Sequence, residues 1–230
     1  GVPLKKVVPE ALDGERIVFM QTVADNLPKG NLLFYTRAGM VKRSEWKEYG
    51  VVKSAFAAIK LKEGDEVIAI EHERKNCTLM FVTKSGMCLN ADMSDIPVQG
   101  RIAAGVKGIQ LSDGDDCLFI GQINGDGEVV LVSDRGYSKR VLVSQIDVMA
   151  RYRKGVKIVD FNKKDNGTSL AFVSYVTEPY KIVLVFEDDY LSSYSTEALS
   201  IENRTHSGRP IIKGRARIKE GLIYNDKVTN

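Results

Sequence analysis

Four apolar runs recur along the chain, and each ends in a turn of one kind. Leu32-Leu33-Phe34-Tyr35-Thr36 leads into Arg37-Ala38-Gly39, and Leu79-Met80-Phe81-Val82-Thr83 into Lys84-Ser85-Gly86. Val129-Val130-Leu131-Val132-Ser133 leads into Asp134-Arg135-Gly136, and Ile182-Val183-Leu184-Val185-Phe186 into Glu187-Asp188-Asp189. The three glycines stand 47 and 50 residues apart, and Asp189 follows 53 residues later. A strand, a tight turn and a second short strand make a β-hairpin, and glycine supplies the positive φ that such turns need. Between hairpins lies a second landmark. Gly14, Gly64 and Gly114, spaced at 50, precede the apolar runs Ile17 to Met20, Val67 to Ile70 and Cys117 to Ile120; Leu170 to Val173 and Leu222 to Tyr224 stand in the same place. Self-similarity at a fixed period marks a repeat architecture. No segment keeps a helical apolar stripe, so helix is confined to a turn near Ser44 to Tyr49 or Val143 to Met149. The pattern predicts an all-β, propeller-like array of about five blades of ~50 residues, in which neighbouring blades cover each other's faces and protect each other's edges. One domain fills residues 1–230, with units at about 1–25 (partial), 26–73, 74–124, 125–177 and 178–230.

Charge follows the same period. The crossovers after the hairpins, at 51–62, 99–110, 149–157 and 204–219, hold fifteen basic residues and no acidic ones. The acids collect just afterwards, as in Glu63, Asp65 and Glu66 or Asp113, Asp115 and Asp116. Equivalent positions in a repeat array occupy equivalent places, so the crossovers form a basic band along one edge. Such a band repels itself and calls for a polyanion. Double-stranded DNA offers a phosphate about every 1.7 Å of axis, and counterion release drives binding without regard to sequence. The candidate DNA-binding residues are Lys53, Arg101, Lys107, Arg151, Arg153, Lys154, Lys157, Arg204, Arg209, Lys213, Arg215 and Arg217. Lys60, Lys62 and Lys219 abut the acidic turns and are weaker candidates. Arg101 and Lys107 stand alone in their window, so a role in tying the crossover down stands beside binding. Interleaved glycines, among them Gly105, Gly155 and Gly208, let backbone N–H groups approach phosphate, and arginine adds bidentate geometry. Tyr152, between Arg151 and Arg153, is placed to pack on sugar or to donate a hydrogen bond.

Composition bears on what else the chain can be. With 43% hydrophobic and 27% charged residues and a net charge of +3, it is an ordinary globular sequence. No apolar run of about 18 residues is present, so no membrane partner is expected. The first residues lack the character of a secretory signal, and the odd number of cysteines (Cys77, Cys88, Cys117) reads as small hydrophobes in a reducing cytoplasm, near the nucleoid. No metal or cofactor is expected: no Cys-x-x-Cys pair occurs, and His72 and His206 are the only histidines. His72, between Glu71 and Glu73, reads as part of a solvated loop, His206 as a polar rim group, and Trp46 as a packing anchor. Asp188 and Asp189 read as a turn rather than a catalytic pair. Phosphate-binding loop, nucleophile-elbow and His-Glu-x-x-His motifs are all missing, so no catalysis is expected. The alternative is a propeller that binds proteins through an aromatic or Met-rich patch.

Thr83-Lys84-Ser85-Gly86 with Arg101-Ile102-Ala103-Ala104-Gly105-Val106-Lys107-Gly108-Ile109-Gln110-Leu111 resembles the C-terminal domain of bacterial type IIA topoisomerase A subunits, the gyrase and topoisomerase IV family. The likeness extends more loosely over nearly the whole chain. The resemblance implies a β-pinwheel whose blades exchange strands, and a basic perimeter that bends DNA to steer supercoiling, relaxation or decatenation. It also implies that the active sites lie outside this chain, the tyrosine in the remainder of the A subunit, the ATPase in the B subunit. The gyrase box, Gln-Arg-Arg-Gly-Gly-Lys-Gly, does not occur in residues 1–230, which leaves the subtype open and tilts the reading toward topoisomerase IV.

Overall fold

The computed structural model describes residues 2–11, 14–23, 28–53, 55–163, 165–212 and 217–224. The strands are β1 (Asn31–Thr36), β2 (Met40–Glu45), β3 (Val67–His72), β4 (Thr78–Thr83), β5 (Met87–Ala91), β6 (Val106–Lys107), β7 (Cys117–Ile123) and β8 (Glu128–Ser133). They continue with β9 (Tyr137–Leu142), β10 (Val148–Met149), β11 (Val156–Lys157), β12 (Leu170–Val176), β13 (Lys181–Phe186), β14 (Leu191–Ser195), β15 (Arg209–Pro210) and β16 (Ile218–Tyr224). They form four small sheets, ordered β3-β1-β2-β6, β7-β4-β5 with β10 and β11 both on β5, β12-β8-β9-β15, and β16-β13-β14.

Each sheet is built the same way. A hairpin (β1/β2, β4/β5, β8/β9, β13/β14) turns through Gly39, Gly86, Gly136 or Asp189, whose φ values are 72°, 82°, 75° and 59°. Asp189 therefore adopts the left-handed turn that glycine takes elsewhere, as its place in the repeat predicts. A short 3-10 turn follows each hairpin, at Trp46–Tyr49, Met93–Asp95, Val143–Gln145 and Thr196–Ala198. After the crossover, the chain returns as a third strand on the hairpin's first strand, with a register shift at the same place in every blade.

The crossover itself pairs with a different blade. β6 lies on β2, β11 on β5 and β15 on β9, each antiparallel, so the segment that follows one hairpin edges the blade before it. This is the strand exchange expected of a pinwheel. The fourth sheet has no such added strand on β14 among the described residues.

Burial explains the unbroken apolar runs. Leu79 and Phe81 of β4 lie in the core shared with the first sheet, whereas Met80 and Val82 lie in the core shared with the third. A strand buried on both faces needs apolar residues at every position. On β1, Leu33 and Tyr35 face the second sheet, while Leu32 and Phe34 are covered by Trp46, Tyr49 and Phe19. Residues 1–25, expected to be a partial unit, contribute no strand among the described residues; Leu4–Val7 form one helical turn. Phe19 is their packing contribution to the first blade.

Candidate nucleic-acid interface

One glycine lets each crossover lie flat on the blade before it. Gly105, Gly155 and Gly208 have φ of 86°, 76° and 82°. A Cβ on them would stand 2.6 Å from the carbonyl oxygen of Val41, 2.1 Å from that of Cys88 and 2.8 Å from that of Ser138. Only glycine meets both the left-handed φ and the close approach. The corresponding residue of the first crossover is Ala55, where no described strand is paired underneath.

Three arginines then stitch the crossovers together. The backbone N–H groups of Arg101, Arg151 and Arg204 donate to Glu48 Oε2 (3.3 Å), Asp95 Oδ2 (3.3 Å) and Gln145 Oε1 (3.0 Å), side chains of the successive 3-10 turns. One guanidinium nitrogen of each donates to a carbonyl of the adjacent crossover: Ala57 at 2.5 Å, Lys107 at 3.1 Å and Lys157 at 3.1 Å. Backbone bonds join the same neighbours, from Lys60 N to Ala103 O (3.3 Å), Tyr152 N to Gly108 O (2.6 Å), Gln110 N to Arg153 O (3.0 Å) and Asp160 N to His206 O (3.3 Å). The four crossovers thus touch in series and make one continuous strip along the outer edges of the blades.

The remaining predicted cations divide by position. Lys53, Lys107, Arg153, Lys154, Lys157 and Arg209 are exposed on the strip. Lys107 Nζ donates to Tyr152 Oη at 3.1 Å and stands 4.8 Å from that ring's centre, while Arg101 lies 5.3 Å from the Phe56 ring. Arg209 pairs with Glu202 at 3.1 Å. Arg217 sits elsewhere, at the hairpin-turn end, where its guanidinium bonds the carboxylate of Asp134. It stands before β16 as Glu66 and Asp116 stand before β3 and β7, but those two pair with Arg37 and Lys84 of their own blades, whereas Arg217 of the fourth blade reaches across to the turn of the third. Lys213 and Arg215 lie outside the described residues.

Acids that follow the first two crossovers brace the hairpin turns. Asp65 accepts the Ala38 N–H at 2.9 Å and Asp115 that of Ser85 at 3.0 Å.

Two lysines that sequence reading passes over lie directly under the strip. Lys42 and Lys139 are 0% and 1% exposed. Lys42 Nζ donates to Ala58 O (2.6 Å), Tyr49 Oη (3.1 Å) and the carbonyl of Arg101. Lys139 Nζ donates to the carbonyls of Asn203 (2.8 Å), Arg204 (2.9 Å) and His206 (2.8 Å). Each ammonium uses three donors to hold a crossover whose basic side chains point outward. Their inward place in the alternation of β2 and β9 is the signal that locates them, because Leu89 fills the same position in β5. Burial lowers both lysines to about 8; nearby Arg101 lowers Lys42 further, Glu48 opposes it, and Glu202 and Asp160 oppose the effect on Lys139. An unfolded lysine holds its proton to about 10.4. Between these values the unfolded chain binds more protons than the folded one, so stability rises with pH. Wild type should therefore gain stability relative to Lys139→Met as pH goes from about 8 toward 10, measured by urea denaturation; a constant difference across that window refutes the assignment.

His72 is not in a solvated loop. It ends β3, its Nδ1 accepts the Trp46 indole N–H at 3.0 Å, and the two rings are 5.2 Å apart. The flanking glutamates are engaged too: Glu73 takes Arg43 in two bonds, and Glu71 accepts Tyr35 Oη at 2.8 Å. Trp46 is buried, as a packing anchor should be. Cys88 and Cys117 are buried, which raises both thiols well above their ordinary range, and Cys77 is half-buried. Among the described residues no group of three His, Cys, Asp or Glu side chains is placed to hold a metal, and no helix is long and apolar enough to cross a membrane.

The sequence profile of the DNA gyrase C-terminal domain, beta-propeller, matches residues 30–71, 78–124 and 127–174. The DNA gyrase A subunit of Lawsonia intracellularis is 32% identical over 109 residues, which is 47% of this chain and 13% of that protein. The gyrase A subunit of Deinococcus deserti is 28% identical over the same length and shares. The chain thus spans 13% of the length of these relatives. The crystal structure of the C-terminal domain of DNA topoisomerase IV superposes with a TM-score of 0.89 at 25% identity, over 97% of this chain and 70% of that one. A DNA gyrase A C-terminal domain gives a TM-score of 0.77 at 22% identity, over 96% and 74%. With its strand-exchanged blades and a profile match over more than half its length, this chain belongs to the DNA gyrase C-terminal domain family.

Proposed function

We propose that the chain binds and bends double-stranded DNA along the strip of crossovers. On this reading it is a non-catalytic part of a type IIA topoisomerase, steering DNA for the rest of the A subunit, together with its partner, the ATPase B subunit. The observation that carries this reading is the continuity of the strip. Arg101, Arg151 and Arg204 join each crossover to the next, so the exposed cations lie on one path rather than on separate loops. The backbone of that path is fixed from below by Lys42 and Lys139. Preorganised cations lose little freedom on binding, and a path longer than one blade favours a bent duplex that meets more of them. The contacts are to phosphate, so binding does not depend on base sequence.

A salt titration with mixed-sequence duplex tests the reading. With about four to six phosphates neutralised, log K should fall against log salt with a slope near −4 to −5. A slope near zero, or no binding at low salt, overturns it.

A further inference from the structure

At the apex of each crossover, one side chain projects from the strip between the cations. In the first three crossovers it is apolar: Val52 is 105% exposed, Ile102 63% and Tyr152 44%. These residues follow one another at intervals of 50, and Thr205 takes the place in the fourth crossover, 53 residues later. Single exposed apolar residues are commonplace. Three in register, each on the surface proposed to meet a polyanion, are not explained by chance exposure or by packing.

Tyr152 adds an independent observation. Its φ is +60°, a backbone region costly for a bulky side chain. Its N–H donates to Gly108 O at 2.6 Å, and Lys107 holds its hydroxyl and ring from one side. The neighbouring Arg151 guanidinium turns back to the Asp95 and Lys107 carbonyls. The strained backbone thus keeps an aromatic side chain outward while a cation beside it is spent inward. Strain maintained in this way points to a functional demand.

We infer that Val52, Ile102 and Tyr152 form a second set of DNA contacts, in which apolar side chains pack on the deoxyribose edges of the minor groove while the flanking cations hold the phosphates. This rests on the DNA-binding reading above and adds a contact chemistry to it. Phosphates are the charged part of the duplex surface, and the sugar edges lining the minor groove are its apolar part. A wrapped duplex turns its minor groove toward the protein once per helical turn and narrows it there, and side chains that pack on the sugar edges without entering the base stack fit that bend. The contact releases no counterions, so it contributes to affinity without contributing to the salt slope.

The test is a salt titration of wild type and of the triple variant Val52→Ser, Ile102→Ser, Tyr152→Ser on an A·T-rich duplex, repeated with netropsin occupying the minor groove. The expected result is a parallel shift: affinity lower by about tenfold at every salt concentration, with the slope unchanged. Netropsin should weaken wild type and leave the variant nearly unaffected. An unchanged affinity, or a loss that appears as a flatter slope, overturns the inference while leaving phosphate binding in place. Wild type that fails to bind the bare duplex at low salt overturns both. A melting curve for the variant close to that of wild type ties any shift to the contact; should Tyr152→Ser disturb the fold, the pair Val52→Ser, Ile102→Ser carries the same test with a smaller shift.

Discussion

Gly155→Ala should lower the stability of the domain by about 4 kcal/mol, the sum of a strained backbone and a steric overlap that neither partner can relieve cheaply. Alanine at φ +76° is disfavoured by itself. The added methyl would also stand 2.1 Å from the Cys88 carbonyl oxygen and 2.7 Å from its carbon, and both belong to the backbone of β5. A flexible side chain could swing aside, but a central strand cannot. Relief requires the 149–157 crossover to lift from β5, which breaks the pairing of Val156 with Cys88 and of Lys157 with Met87. For a chain of this length the loss corresponds to about 8 to 16 °C in melting temperature. Calorimetry or urea denaturation reads it directly. Ala55, the residue already standing at this position in the first crossover, supplies the internal control: Ala55→Gly should cost no more than about 1 kcal/mol. A Gly155→Ala protein that melts with wild type would show that the crossover is not pressed onto the preceding blade.

That prediction draws on a contact the sequence alone does not reveal, although its ingredients are visible there. The hairpins were legible because both faces of β4 and β8 are buried, which writes four consecutive apolar residues and a buried Thr or Ser before each turn. Asp189 was legible as a turn residue through its place in the period rather than through its type. The exchanged strands were not legible individually: β6, β11 and β15 are two residues long, too short to carry an alternation, and the pinwheel resemblance alone announced them. The strip itself was anticipated from charge, and a tying role for Arg101 from its isolation in its window, but the rest of the division of labour was not. Arg151 and Arg204 read as two more cations, and only geometry separates arginines that bond carbonyls from cations that face solvent. Lys42 and Lys139 were passed over because lysine counts as a surface residue in any hydropathy reading. Their burial depends on carbonyl oxygens more than fifteen residues away in sequence. Arg217 was assigned to the band by type, although the acidic partner that claims it, Asp134, lies in a turn 83 residues earlier.

Separating the two kinds of cation leads to the largest functional effect. Reversing Arg153, Lys154 and Lys157 together to Glu should weaken duplex binding about 100- to 1,000-fold near 0.1 M salt, since each phosphate contact contributes roughly a factor of ten there. The log–log salt slope should become shallower by about two to three, whichever duplex sequence is used. The fold should be retained. These side chains are exposed, and the bonds that hold this crossover use the backbone carbonyls of Arg153 and Lys157 together with the side chain of Arg151. Leaving Arg151 in place is therefore essential, because its substitution would confuse a displaced crossover with a lost contact. A matched control keeps the net charge equal: Lys29, Lys47 and Lys75, all exposed at the open ends of the hairpins, Lys47 in the first 3-10 turn and the other two in loops, reversed to Glu. If binding follows the strip, the control loses less than about tenfold, the remainder being a long-range field effect that salt screens. Equal losses in the two variants would mean that the duplex responds to overall charge, and the continuous path of crossovers would then have no bearing on how this domain holds DNA.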